Sequence, residues 1–145
     1  MKHYTKGTFN LTDSVGFYLN KARNLVLMEM DAALKELDIT AQQMGILLSL
    51  SRGTATTPFE LSKLLVIDTG LMTRILDKLE HKGLLTRSRS VDDRRVVNLE
   101  LTAKGHSVAN QIPEIAPEVL NARLKNFSKS EFDELLRLLD KFSAA

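Results

Sequence analysis

Helix-start signals recur along this chain so regularly that they leave room for little except a series of capped helices with one interruption. Thr40 with Gln43, and Ser128 with Glu131, each place a hydroxyl at the cap and an acceptor three residues on, the pattern of a capping box. Thr57-Pro58-Phe59-Glu60 adds proline at the first helical position, where no amide hydrogen bond is lost. Thr12 and Thr102 precede two further periodic segments. Gly53 and Gly83 sit where the second helix and the basic central helix should stop, as residues free to take the left-handed conformation.

Apolar spacing fills in the lengths. Val15, Leu19, Ala22, Val26, Ala33 and Leu37 suit one long amphipathic helix from Asp13 to about Leu37, weakened in its first turn by Gly16. A second helix runs from Thr40 through Leu50, and a short third one from Pro58 to about Leu65. Val66-Ile67-Asp68-Thr69-Gly70 breaks the pattern, with Asp68 or Thr69 as the next cap. Met72, Ile75, Leu76 and Leu79 then form one stripe at i, i+3, i+4 and i+7.

From Leu84 the period changes. Leu84 to Val91 is short and rich in Thr, Ser and Arg, Asp92-Asp93 reads as a turn, and Val97, Leu99 and Leu101 alternate on one face. This is the one convincing hairpin. A helix from Ala103 follows, which Pro113 and Pro117 should interrupt or kink. The last helix carries Phe132, Leu135, Leu136, Leu139 and Phe142 on one stripe. The fold class is therefore mainly α with a small β-hairpin, and 145 residues suffice for one domain rather than two.

Composition removes whole function classes. Cysteine is absent, which excludes disulfide scaffolds, Cys-ligated zinc, thiol nucleophiles and cysteine-based redox sensing. No apolar run approaches the ~20 residues that span a bilayer, and Met1 to Lys6 has no apolar stretch behind it to make a signal peptide. A cytoplasmic protein with no membrane association is expected. His3, His81 and His106 are scattered, and no His-Glu-x-x-His, phosphate loop or nucleophile elbow occurs. His81 with Asp77 makes half a metal site at most, so neither an enzyme nor a metal or other cofactor is expected.

The informative unit is a short helix, a tight turn, a helix and then a basic hairpin. Such a pair of helices is the helix-turn-helix arrangement, whose second helix packs one side and enters the DNA major groove with the other. Between Thr69 and Arg95 lie seven basic residues (Arg74, Lys78, Lys82, Arg87, Arg89, Arg94, Arg95) and four acidic ones (Asp77, Glu80, Asp92, Asp93), so this segment is positive while the remainder is not. Thr69, Gly70 and Thr73 are small enough to let a duplex approach, Arg74 has the reach and fork to read a guanine edge, and Lys78 reaches a base or a phosphate. A winged-helix module that binds protein instead of DNA is the alternative. It would carry exposed apolar anchors on this face, where this chain carries Thr, Arg, Asp, Lys and His.

The run from Leu61 to Glu80, with Lys82-Gly83-Leu84-Leu85, Arg87, the Asp93 to Thr102 stretch and Gly105 behind it, resembles the MarR family of bacterial transcriptional regulators over essentially the whole chain. The resemblance implies a winged helix-turn-helix over 38–102, with terminal helices (11–37 and 103–145) forming a dimerisation region, all within one domain, 1–145. It implies double-stranded DNA as partner, a pseudo-palindromic operator, repression as the default and a homodimer, with Val15, Leu19, Phe132, Leu135, Leu139 and Phe142 at its interface. It casts Arg95 as the wing arginine entering the minor groove and Asp93 as the group orienting it. Arg94 is left to phosphate or to a pair with Asp92, and Arg87 becomes a DNA-backbone contact. It also implies a small aromatic or phenolic effector between the two parts, for which Tyr18, Arg23 and Met44 are the candidate lining.

Overall fold

A computed structural model describes residues 1–144; Ala145, the last residue of the expected dimerisation region, lies outside them. Six helices and one hairpin follow in the order α1 (Val15–Ala33), α2 (Ala41–Arg52), α3 (Pro58–Leu65), α4 (Thr69–His81), β1 (Leu85–Arg89), β2 (Val97–Leu101), α5 (Ala103–Leu124) and α6 (Lys129–Ser143). Mainly α with a two-stranded antiparallel wing is the class the caps implied.

The first helix differs from expectation at both ends. Asp13 belongs to a separate 3-10 turn, Leu11–Asp13, capped by Asn10. Ser14, not Thr12, caps α1 by accepting from the Phe17 amide at 3.1 Å. Thr12, Asp13 and Ser14 are all capping residue types, and only the choice of Ser14 leaves room for the turn before it. The Tyr4 hydroxyl accepts a second free amide, that of Val15, at 2.9 Å. At the other end the helix tightens into a 3-10 turn, Leu34–Leu37, and stops at Asp38 in the left-handed region (φ 55°).

Local chemistry accounts for the remaining boundaries. Both halves of the Thr40–Gln43 capping box form, at 3.2 and 3.1 Å, and Gly53 ends α2 at φ 70°, three residues beyond Leu50. Thr57 accepts from the Glu60 amide at 3.2 Å above Pro58. Thr102 caps α5 through the Gly105 amide at 3.0 Å. The expected interruption at Pro113 and Pro117 does not occur, because α5 runs through both. The two prolines are four residues apart and both exposed, so the missing amide bonds fall on the solvent face. Meanwhile Val108, Ala109 and Ile112 anchor the other face in the core.

That core joins Met30 and Leu34 at the end of the first helix, Ile46 and Leu47 of α2, Leu61 of α3 and the whole stripe of α4 with Leu84, Leu85, Leu99 and the first half of α5. The hairpin pairs Leu85 with Leu101 and Arg89 with Val97, and the Leu99 amide donates outward to the Thr56 carbonyl at 2.9 Å. Gly105 fixes how closely α5 approaches this hairpin. A β-carbon there would stand 1.9 Å from the Leu84 carbonyl oxygen, a distance no side chain tolerates.

The chain ends are different. The apolar stripe of α1 is only half-buried at Leu19 and Val26 and exposed at Val15 and Ala22. α6 buries none of its side chains: Leu135, Leu136, Leu138, Leu139 and Phe142 all remain exposed and Phe132 half-exposed. One long-range tie in this region joins α1 to α5, where Arg123 Nε donates to Glu29 at 3.0 Å. Among the described residues no helix is long and apolar enough to cross a membrane.

Candidate nucleic-acid interface

The site is built on α4, whose two faces differ completely. Met72, Ile75, Leu76 and Leu79 are at most 6% exposed, whereas Thr69, Gly70, Thr73, Arg74, Asp77, Lys78 and His81 face solvent. The Asp68 carboxylate is the cap, accepting from Leu71 at 3.0 Å, so Thr69 and Gly70 already form the first helical turn rather than part of the break. The connection from α3 is only Val66 to Asp68. It is closed by the Ile67 amide donating to the Ser62 carbonyl at 3.1 Å, with Val66 in the left-handed region (φ 53°). A β-branched residue is seldom found there. The Thr73 hydroxyl donates back to the Thr69 carbonyl at 2.9 Å.

The far end of α4 is moored. Lys82 Nζ donates to the Asp38 carbonyl at 2.6 Å and to Gln43 Oε1 at 3.2 Å, so the glutamine that completes the α2 cap also holds the α4 terminus. Lys104 Nζ in turn donates to the Lys82 carbonyl at 3.0 Å.

The wing loop runs from Ser90 to Val96 and closes on itself through Ser90 N–H to Val96 O at 2.9 Å. Asp93 holds Arg95 in a fork, with Nε to Oδ1 at 3.1 Å and Nη2 to Oδ2 at 3.3 Å, and also accepts the Arg95 amide at 3.1 Å. These bonds keep the Asp93 carboxyl below its ordinary range. The Arg95 side chain is nonetheless 91% exposed, oriented but not covered. Arg94 forms no pair with Asp92 among the described residues; its carbonyl instead accepts from Arg89 Nη1 at 2.8 Å. Arg89, which carried no expected role, thus braces the loop. Its alternation with Arg87 along β1 was the available signal.

Arg87, the expected DNA-backbone contact, is engaged by carboxylates of α4. Instead of pointing to solvent as a free cation, its guanidinium lies on Asp77 at 2.6 Å and Glu80 at 2.9 Å, and its amide donates to Glu80 Oε2 at 3.2 Å. Glu80 is held below the usual carboxylate range by the hydrogen bond from Arg87, and Arg87 is pushed up by the same contact. Arg74, Lys78, Arg89 and Arg94 have no ion pair among the described residues, so the net positive charge of this surface rests on them, while Arg95 is paired with Asp93.

The other expected residues lie on other elements. Tyr18 lies on the exposed half of α1 with its ring edge-on to Phe17, Arg23 is exposed on the same helix, and Met44 packs against the core from α2. Val15 and Leu19 lie near one end of the chain and Phe132, Leu135, Leu139 and Phe142 near the other, all incompletely covered.

Known proteins share this arrangement. A family model described as MarR family matches residues 39–97. The multiple antibiotic resistance protein MarR of Escherichia coli is 35% identical over 128 residues, covering 85% of this chain and 89% of the relative. The HTH-type transcriptional regulator PecS of Dickeya dadantii is 30% identical, covering 85% and 76%. A solved structure of a mutant MarR from E. coli complexed with operator DNA superposes with a TM-score of 0.82 at 31% identity, covering 93% of this chain and 97% of that one.

Proposed function

The chain belongs to the MarR family and is a DNA-binding transcriptional regulator, and on that premise we propose that it is a cytoplasmic homodimeric repressor whose α4 reads the major groove while its wing reaches the neighbouring minor groove. The observation that carries this reading is the pairing of two surfaces. α4 has an unpaired Arg74 and Lys78 beside small residues, and the wing has a fully exposed arginine held in a fork by Asp93.

Each role follows from chemistry. Thr69, Gly70 and Thr73 permit close approach to the duplex. Arg74 presents two parallel donors to a guanine edge, and Lys78 a point charge to a base or phosphate. A narrow minor groove concentrates negative potential, which favours Arg95, and the Asp93 fork removes much of the rotamer freedom that insertion would otherwise freeze out. Arg94, beside it and unpaired, serves phosphate. Two copies related by a two-fold axis place their α4 helices about 34 Å apart and select a pseudo-palindrome.

Dimethyl sulfate footprinting, which methylates guanine N7 in the major groove and adenine N3 in the minor groove, tests the geometry. The dimer protects two major-groove stretches about one turn apart, flanked by minor-groove protection that disappears in Arg95→Ala. Protection of a single half-site by the wild type would count against the symmetric reading. Release by a small aromatic acid is the regulatory part of the proposal, with Tyr18, Arg23 and Met44 as its lining. Such a ligand acts only by binding the DNA-competent spacing less well than another. Titration of phenolic acids into the DNA complex lowers affinity if this holds, and leaves it unchanged if it does not.

A further inference from the structure

Two carboxylates stand on the recognition helix, Asp77 beside Lys78 and Glu80 one turn from it. Facing a duplex, they oppose binding. Both are only half-covered, at 56% and 40% exposure of their side chains. The residue that answers them comes from another element, since β1 leaves α4 through only Lys82 to Leu84 and returns Arg87 against the helix it has just left. The Arg87 guanidinium touches both carboxylates, its side chain is 28% exposed, and the Arg87 amide adds a third bond to Glu80.

From this geometry we propose that Arg87 is a positioning residue, clamping the wing to the recognition helix through Asp77 and Glu80 and offsetting part of their charge, rather than a contact to the DNA backbone. The inference rests on the DNA-reading function proposed above and gives it a mechanical part. The hairpin is a two-stranded element whose loop bears Arg95, and its angle to α4 sets whether Arg95 and Arg74 reach adjacent grooves together. Backbone pairing fixes β1 to β2, and Leu84, Leu85 and Leu99 seat the base of the hairpin in the core. Toward the solvent side, Arg87 ties β1 to α4 with three polar bonds at 2.6–3.2 Å. One terminal nitrogen, Nη2, meets both carboxylates, at a reach from the backbone that a lysine ammonium, one bond shorter, does not match.

The two roles make opposite predictions in a double-mutant cycle. Arg87→Gln is compared in the wild-type chain and in a chain carrying Asp77→Asn and Glu80→Gln, using anisotropy on the duplex preferred by the wild type at several salt concentrations. As a clamp, Arg87→Gln weakens wild-type binding about tenfold or more, and by less than about twofold once the carboxylates are gone. Arg87→Lys recovers little of the loss. As a phosphate contact, Arg87→Gln weakens both chains equally and lowers the slope of log affinity against log salt by about one. Equal losses in the two backgrounds overturn the proposal.

A readout without DNA separates this from failure of the DNA-reading function itself. In the free protein the Glu80 carboxyl, followed by NMR, titrates below its ordinary range and moves back up in Arg87→Gln. If it does not move, the clamp is absent whatever the protein does with DNA. If it moves but the wild type prefers no duplex, the clamp stands as a structural contact, the DNA-reading premise fails, and the positioning role falls with it.

Discussion

α4 and α6 carry apolar stripes of similar design, with Met72, Ile75, Leu76 and Leu79 on one and Leu135, Leu139 and Phe142 on the other, but the two stripes end in different environments. The first is at most 6% exposed and the second between 36% and 58%. α4 has its partners close in sequence: α3 lies one tight turn before it and the hairpin one short turn after it. α6 comes last, and its helicity rests on local signals. These are the Ser128–Glu131 capping box and the pairs Lys129–Asp133 and Glu134–Arg137 along its polar side. Periodicity thus shows that a face will be covered without saying whether the cover is the same chain or another. For α6 and the first half of α1 we propose a second copy of the chain, because each leucine or phenylalanine removed from water contributes roughly 1.5–3 kcal/mol.

Replacing one leucine in each helix separates the two cases most strongly. Leu79→Ala leaves a cavity in the core and lowers stability in urea by about 2–5 kcal/mol at every protein concentration. Leu139→Ala has an effect that depends on concentration, small where the chain is dilute and larger where it associates. Introducing charge sharpens the contrast. Leu139→Asp with Phe142→Asp converts a dimer to a monomer in sedimentation while the circular dichroism of the winged body persists. If the chain sediments as a monomer before any substitution, the assignment of α6 to dimerisation is lost.

The caps give a finer comparison. Thr57→Ala and Ser128→Ala each remove one bond to an amide at the third helical position, worth about 1 kcal/mol. The first appears in the global unfolding of the body. The second appears as faster amide exchange confined to α6.

Acid has the smallest effect. The carboxyls of Glu80 and Asp93 in the body, and of Glu29, Glu131 and Glu134 at the ends, are held below their ordinary values by hydrogen bonds. A carboxyl lowered on folding adds stability above its unfolded value of about 4 and loses it as pH falls through the folded value. Stability is therefore flat with respect to these groups from neutrality to about pH 5 and declines below it. The slope is shallow, because Glu29, Glu80, Glu131 and Glu134 are exposed and Asp93 is only half-covered.

The same contrast explains what was legible in the residues alone. Thr40, Thr57, Thr102 and Ser128 are each followed three residues on by the amide they cap, so those boundaries follow from local chemistry. The start of α1 is not fixed by local spacing, because three successive residues are competent caps and a tyrosine eleven residues before Val15 takes part. The two prolines of α5 misled because the core contacts of Val108, Ala109 and Ile112 outweigh two bonds lost to solvent. In the candidate interface, the Asp93–Arg95 fork spans two residues and was readable. The bridge from Arg87 to Asp77 and Glu80 depends on the angle at which the hairpin folds back, which no spacing encodes.

The central claim is that α4 and the wing read DNA sequence together. Selecting bound duplexes from a random library with wild type, Arg74→Ala and Arg95→Ala at one fixed salt concentration tests it most directly. The account predicts an enriched inverted repeat with half-sites about 10 base pairs apart. It also predicts that Arg74→Ala loses discrimination of about 1–3 kcal/mol at one base pair of each half, and that Arg95→Ala loses the preference for A·T-rich flanks. Enrichment of no sequence, with both variants binding as the wild type does, would contradict it.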